Sequence, residues 1–217
     1  PSPRTPLKTK KENKKARGVD TCWHVAILGF LAIFLAAAAE SNSAFFYIGF
    51  MEEFDVNRET ATWPSSLVTA LSHLAAILVA LVQGRVSLFT ILLLGALFTW
   101  SGIVASAFVP SMAWMIVTFG AIHGLGFGLT LVMYSIILAM YFDKYRGLSS
   151  GMKYAGGSLA GLVFPKLLPY LQGKYGFRGA LLIFGGITMH LSAIGLFVKE
   201  PPWSFFEDKQ GRFTECD

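Results

Sequence analysis

Apolar residues in this chain come in long unbroken runs rather than in stripes. A helix lying on a soluble core repeats its apolar positions every three to four residues, whereas a helix that is apolar all round is buried or sits in lipid. Residues 23–48, 63–83, 87–108, 112–141, 148–171 and 179–198 all read the second way. Crossing about 30 Å of hydrocarbon at 1.5 Å per residue takes roughly 20 residues, and every run is that long. The expected fold is all-α: a membrane protein whose six transmembrane helices form one bundle over residues 19–198. A disordered basic tail at 1–18 precedes the bundle, and a polar cytoplasmic segment at 199–217 follows it.

The breaks between runs carry the polar residues. An acidic loop with Glu52, Glu53, Asp55, Arg58 and Glu59 follows the first run, and Trp63-Pro64-Ser65-Ser66 opens the second. Proline is tolerated in a first helical turn, where its missing N–H costs nothing. Basic residues orient the bundle, because cytoplasmic loops are enriched in Lys and Arg. Arg4, Lys8, Lys10, Lys11, Lys14, Lys15 and Arg17 precede the first run, Arg85 follows the second, and Lys144 and Arg146 follow the fourth. Lys174 and Arg178, after the fifth, run against the trend. The pattern places both termini in the cytoplasm. An even number of spans with both ends inside fits one half of a transporter built from two six-helix repeats.

Composition agrees: charged residues are only 14% of the chain and apolar residues 54%, against about a quarter and just under half in soluble domains. The net charge of +5 does not point to nucleic acid, because it is concentrated in a juxtamembrane tail suited to anionic lipid and lacks an aromatic stacking surface. Gly147-Leu148-Ser149-Ser150-Gly151 matches the nucleophile-elbow pattern, which needs a strand before it and a helix after it; a long apolar helix precedes it here. Gly124-Leu125-Gly126-Phe127-Gly128 lacks the strand and acid of a dinucleotide site. With Gly120/Gly124 and Gly157/Gly161 it reads instead as small residues that let helices approach closely in lipid. No enzyme, cofactor or metal is expected. The aromatic residues read as mostly lipid-facing surface or interfacial belt, as with Trp23, Trp63 and Trp203.

Ionisable side chains at membrane depth are functional candidates by default. Glu40 falls in the outer half of the first run, facing a cavity or the outer headgroups. His73, His123 and His190 fall inside the second, fourth and sixth runs as packing residues or as a proton relay. Lys153 and Lys166 lie near opposite ends of the fifth run, within reach of the interface by snorkelling or of an anionic substrate. Candidates for the substrate or proton pathway are Glu40, Ser41, Asn42, His73, His123 and Lys153.

Tyr141-Phe142-Asp143-Lys144-Tyr145-Arg146-Gly147-Leu148-Ser149-Ser150-Gly151, followed by Ala155-Gly156, resembles the signature of monocarboxylate transporters, a branch of the major facilitator superfamily. Tyr141, Phe142, Lys144, Arg146, Leu148, Gly151, Ala155 and Gly156 match; Tyr145, Ser149 and Lys153 depart. Asp20 and Trp23 are what survives of a second family motif before the first span. The resemblance covers roughly residues 19–200 and implies the N-terminal half of a major facilitator fold, with a C-terminal six-helix half to complete it. It further implies alternating-access transport of a small organic anion such as lactate or pyruvate, with a proton in the coupled members. The membrane would be the plasma membrane, and some members need a single-span immunoglobulin-like glycoprotein to reach it. The lysine that proton-coupled members carry late in the first span is missing, and Glu40-Ser41-Asn42 stands there. Members without that lysine move other cargo, including aromatic amino acids. Lys144 and Arg146 are expected to anchor to headgroups and form part of a cytoplasmic gate. A six-span protein acting only through partner binding is the competing reading.

Overall fold

The structure, a computed structural model, describes residues 22–82 and 85–198. Asp20, the basic tail and the segment from 199 onward lie outside the described residues. All regular structure among the described residues is helical. In chain order it comprises α1 (Trp23–Ala36), α2 (Ala38–Ser41), α3 (Ser43–Phe54), α4 (Arg58–Val82), α5 (Leu88–Ser106), α6 (Met112–Met115), a π-helical turn (Ile116–His123), α7 (Gly124–Tyr141) and α8 (Arg146–Phe197). By length and composition, four helical runs among the described residues can cross a membrane: Arg58–Val82, Leu88–Ser106, Met112–Tyr141 and Arg146–Phe197.

The last of these runs is a hairpin. Gly176 takes φ 72°, ψ 173°, a backbone conformation open to glycine and strained for other residues. Phe164 and Phe184 would stand about 30 Å apart in one continuous helix, yet their ring centroids are 5.5 Å apart. The chain therefore doubles back at Gly176. Before the turn, Gly156, Gly157 and Gly161 meet Phe30, Ile33 and Ser41 in rising order, so this arm runs parallel to α1. After it, Gly185 meets Val104 and Gly195 meets Leu93, so the second arm runs antiparallel to α5.

The first helical run is interrupted at Asn42 (φ −119°, ψ 30°), whereas Ala37 (φ −82°, ψ −1°) keeps the helical bonds from its own N–H to Ile33 and from the Ser41 N–H to its carbonyl; α2 lies between the two. At its C-terminal end α3 continues through Glu52 and Glu53, and Asp55 stops it in the left-handed conformation (φ 48°). Asn57 then caps α4, its Oδ1 accepting from the Thr60 N–H at 2.8 Å. The acidic loop expected here is thus only the turn at 55–57, because a left-handed Asp and an Asn cap close it tightly. Pro64 correspondingly stands in the interior of α4 rather than in its first turn.

Packing rests on backbone contacts at glycine. Gly124 and Gly128 of α7 lie against the backbones of Val68 and Ser72 in α4, Gly126 lies against Phe98 and Thr99 in α5, and Gly102 of α5 lies against His123. Between helices in lipid there is little hydrophobic drive, so close approach and dispersion supply much of the cohesion. The aromatic residues correct the expectation of a lipid-facing belt. Phe46, Phe50, Phe119, Phe164, Phe177 and Phe184 are buried, and their rings contact one another at 5.0–6.3 Å between centroids. They sit where α3, the π-turn and both arms of α8 converge. Trp63 does face outward.

A Cβ at Gly156 would collide with the Phe30 carbonyl, whereas nothing lies within 4 Å of one at Gly173. Gly156→Leu is expected to destabilise the bundle by at least about 1–3 kcal/mol, read as a lower melting temperature in detergent. Gly173→Leu should melt with the parent.

Candidate functional site

The interruption of the first helical run brings the polar candidates to one face. Breaks in a membrane helix free backbone groups, and irregular backbone at that depth is tolerated where it is buried or lines a cavity. Half-buried Glu40 sits on α2, and the hydroxyl of Thr69, on the exposed side of α4, lies 3.3 Å from Glu40 Oε1. That hydroxyl is also 3.2 Å from the Ser65 carbonyl one turn back. The Thr69 carbonyl lies 2.7 Å from His73 Nδ1 and accepts from Ser72 Oγ at 2.8 Å. Exposed Ser41 donates to the Gly157 carbonyl at 3.2 Å and ties α2 to the first arm of α8. Glu40 and His73 therefore meet across α2 and α4, with Thr69 as the link that a sequence reading misses, while exposed Ser41 turns to the first arm of α8. Nothing in the run Ser66-Leu67-Val68-Thr69 marks it out; only the packing of α4 on α2 does. Asn42 is buried, and its Nδ2 donates to the Ala38 carbonyl at 2.7 Å, so it closes the break from inside.

Two candidates lie elsewhere. His123 is fully buried at the end of the π-turn, with Nδ1 3.0 Å from the Thr99 carbonyl and Nε2 without a partner. Its ring lies between those of Phe119 and Phe127, at 5.2 and 6.5 Å. Lys153 does not snorkel to the interface: it is 2% exposed, and its Nζ donates to Ser135 Oγ of α7 at 2.5 Å. The Nζ also stands 4.2 Å from the centre of the Tyr154 ring. The hydroxyl and the π-face take the place of bulk water around the ammonium. Lys166 and His190, by contrast, are exposed.

The two sequence motifs near the basic loop come together. Trp23 at the start of α1 packs on Phe142 at 5.1 Å and on Tyr145 at 5.8 Å, and Lys144 Nζ lies 5.1 Å from the Tyr145 ring centre. Tyr141 and Phe142 are buried, while Lys144, Arg146, Leu148, Gly151 and Ala155 are exposed. Arg146 opens α8, and Gly156 seats that helix against α1. At the opposite end of the bundle Arg178 Nε meets Glu53 Oε1 at 2.6 Å, and Gln172 Nε2 reaches Glu52 Oε2 at 3.4 Å. Of the two basic residues that ran against the charge trend, Arg178 is thus matched by an acidic one. Among the described residues no group of three or more His, Cys, Asp or Glu side chains is placed to hold a metal ion.

Residues 29–213 match the family model of the Major Facilitator Superfamily. The chain is 30% identical over 182 residues to monocarboxylate transporter 4 of Gallus gallus, covering 83% of this chain and 38% of that protein. It is 26% identical over 194 residues to monocarboxylate transporter 14 of Homo sapiens, covering 88% and 38%. It thus spans well under half the length of these relatives. In fold it is similar to a crystal structure of the peptide transporter POT in complex with alafosfalin, with a TM-score of 0.71 and 18% identity, covering 83% of this chain and 40% of that one.

The Lys153 geometry makes a prediction of its own. Ser135→Ala should lower stability by about 1–3 kcal/mol, because it strands a buried ammonium. Lys153→Met should leave the melting temperature in detergent at or above that of the parent, because it removes the charge together with its need for a partner.

Proposed function

Because the chain belongs to the Major Facilitator Superfamily, we propose that it supplies the N-terminal half of a secondary transporter that carries small monocarboxylates or related organic acids across the plasma membrane by alternating access. The observation that carries this reading is the irregular turn at Asn42, just after Glu40, together with the contacts that join Glu40 through Thr69 to His73 on the exposed side of α4. Broken helices that present polar groups at depth are how transporters of this kind build a substrate site between two repeats. The relatives' names supply the cargo class. In this reading the first run, α4, α5, the run from α6 to α7 and the two arms of α8 are six crossings. Both ends of the chain face the cytoplasm, and a second six-helix half closes the cavity.

Proton symport is the finer form of the proposal. Glu40 and His73, joined through Thr69, are side chains that can hold and pass a proton, and they stand on the face where cargo would bind. The gate is assigned to the opposite motif. Arg146 is exposed at the start of α8, beside the Trp23–Phe142–Tyr145 cluster. There it can pair with acids of the other half in one conformer and release them in the other, a bistable contact of the kind that switching needs.

In the full-length protein, Arg146→Ala should lower the initial uptake rate about tenfold, equivalent to about 1.4 kcal/mol of barrier, with surface expression unchanged. Normal uptake in that variant would remove Arg146 from the gate. Uptake of labelled lactate or a related acid should rise when the outside is made more acidic than the inside. Uptake indifferent to the gradient would reject symport and leave facilitated transport.

A further inference from the structure

Glu40 stands near the middle of the run from Trp23 to Phe54, at the depth where a charge is hardest to leave without a partner. Among the described residues it forms no ion pair. Of the lysines on the neighbouring arm of α8, Lys153 is buried on Ser135. Lys166 lies roughly 13 Å further along that arm than Gly157, whose carbonyl Ser41 reaches, at 1.5 Å per residue. The hydrogen-bond partner of Glu40 is the Thr69 hydroxyl, 3.3 Å from Oε1. That hydroxyl has one proton and two acceptors, because the Ser65 carbonyl lies 3.2 Å away. A helical threonine gives its proton to the carbonyl four residues back, which leaves Thr69 Oγ1 and Glu40 Oε1 facing each other with lone pairs. Two such oxygens draw together around a proton or a cation. Residues four apart are neighbours on a helix face, and Ser65 Oγ, buried without a hydrogen-bond partner, adds a further oxygen beside Thr69.

All of these atoms are oxygens, the hard ligands that alkali and alkaline-earth ions take. A single carboxylate balances one positive charge, which selects a monovalent ion at a depth where net charge is costly. Oxygens 3.3 Å apart fit adjacent corners of an octahedral shell with contacts of about 2.3 Å, the lower end of the Ca2+ range. Na+ has nearly the radius of Ca2+, whereas K+ needs its oxygens further apart. Glu40 also lies in the last turn before the irregular backbone at Asn42, and the ends of broken helices are where transporters hold Na+. We infer that Glu40, Thr69 and Ser65 form a site for a sodium ion whose binding is coupled to uptake of the organic acid. The ion supplies beside Glu40 the positive charge that an acid's carboxylate needs, and it takes the oxygen that a proton would otherwise occupy. The inference rests on the transport reading above and adds a second coupling ion to it.

Melting of the purified full-length protein in detergent reads ion binding without cargo. At equal ionic strength, sodium chloride should raise the midpoint above that in N-methylglucamine chloride by about 2–4 °C, and potassium chloride should not. Glu40→Gln should abolish the shift. Thr69→Val, which keeps the shape of the side chain, should require about tenfold more sodium for it. In proteoliposomes at equal pH on both sides, an inward sodium gradient should speed uptake of labelled lactate or a related acid about tenfold, within the ordinary range of coupling between two ligands. Equal midpoints in the three salts, or a sodium shift unchanged in both variants, overturns the inference. Acid uptake that follows a proton gradient and ignores sodium also overturns it and leaves the transport reading standing. A sodium shift lost in Glu40→Gln, with no acid taken up under either gradient, upholds the ion site and overturns the transport reading.

Discussion

Close approach of helix backbones is the constraint on which the rest of this structure depends. In lipid, apolar side chains gain little by turning from acyl chains to one another, so helices cohere where small residues let their backbones touch. Gly124, Gly126 and Gly128 do this for α7 on two sides at once, toward α4 and α5, and Gly156 does it for the first arm of α8 against α1. These contacts fix the rotation of each helix about its own axis. Fixing the rotation decides which residues are left facing outward.

That remainder is uneven. α5 turns Leu94 and Leu97 outward, a surface suited to lipid. α4 and the first arm of α8 turn out Ile77, Leu81 and Leu162 as well, but on part of their surface also Thr69, His73 and Ser158, a strip suited to water. Glu40 and Ser41, just before the interruption at Asn42, add to the second kind. Charge elsewhere is handled locally: Lys153 against Ser135 and Tyr154, and Arg178 against Glu53. Exposed pairs such as Arg178–Glu53 contribute little to stability. The pair joins the end of α3 to the start of the second arm of α8, just past the Gly176 turn.

The long apolar runs were legible because lipid imposes a length on a helix whatever its partners. The Gly120/Gly124 and Gly157/Gly161 spacings were legible as contact surfaces for a related reason, since the period of the helix is written directly in sequence. The motif around Tyr141–Gly156 pointed to the right superfamily. Three features were not legible. Thr69 and Ser135 have ordinary surroundings, and only the packing of another helix gives them partners. The phenylalanines read as lipid-facing because a membrane core and a membrane surface have the same composition. The local departure at Ala37 lies in a run of alanines with neither Gly nor Pro, so no local signal announces it. Asp20 lies outside the described residues, so its part in the motif beside Trp23 stays an expectation from sequence.

The central claim is that the polar face left by this packing borders a water-filled path and not lipid. Single cysteines at Thr69 and Ser158, compared with cysteines at Leu94 and Leu97, test it in intact membranes with a water-soluble, membrane-impermeant thiol reagent. The account predicts that the cysteines at Thr69 and Ser158 react and those at Leu94 and Leu97 do not. Cysteines at Thr69 and Ser158 as inert as those at Leu94 and Leu97 would contradict it.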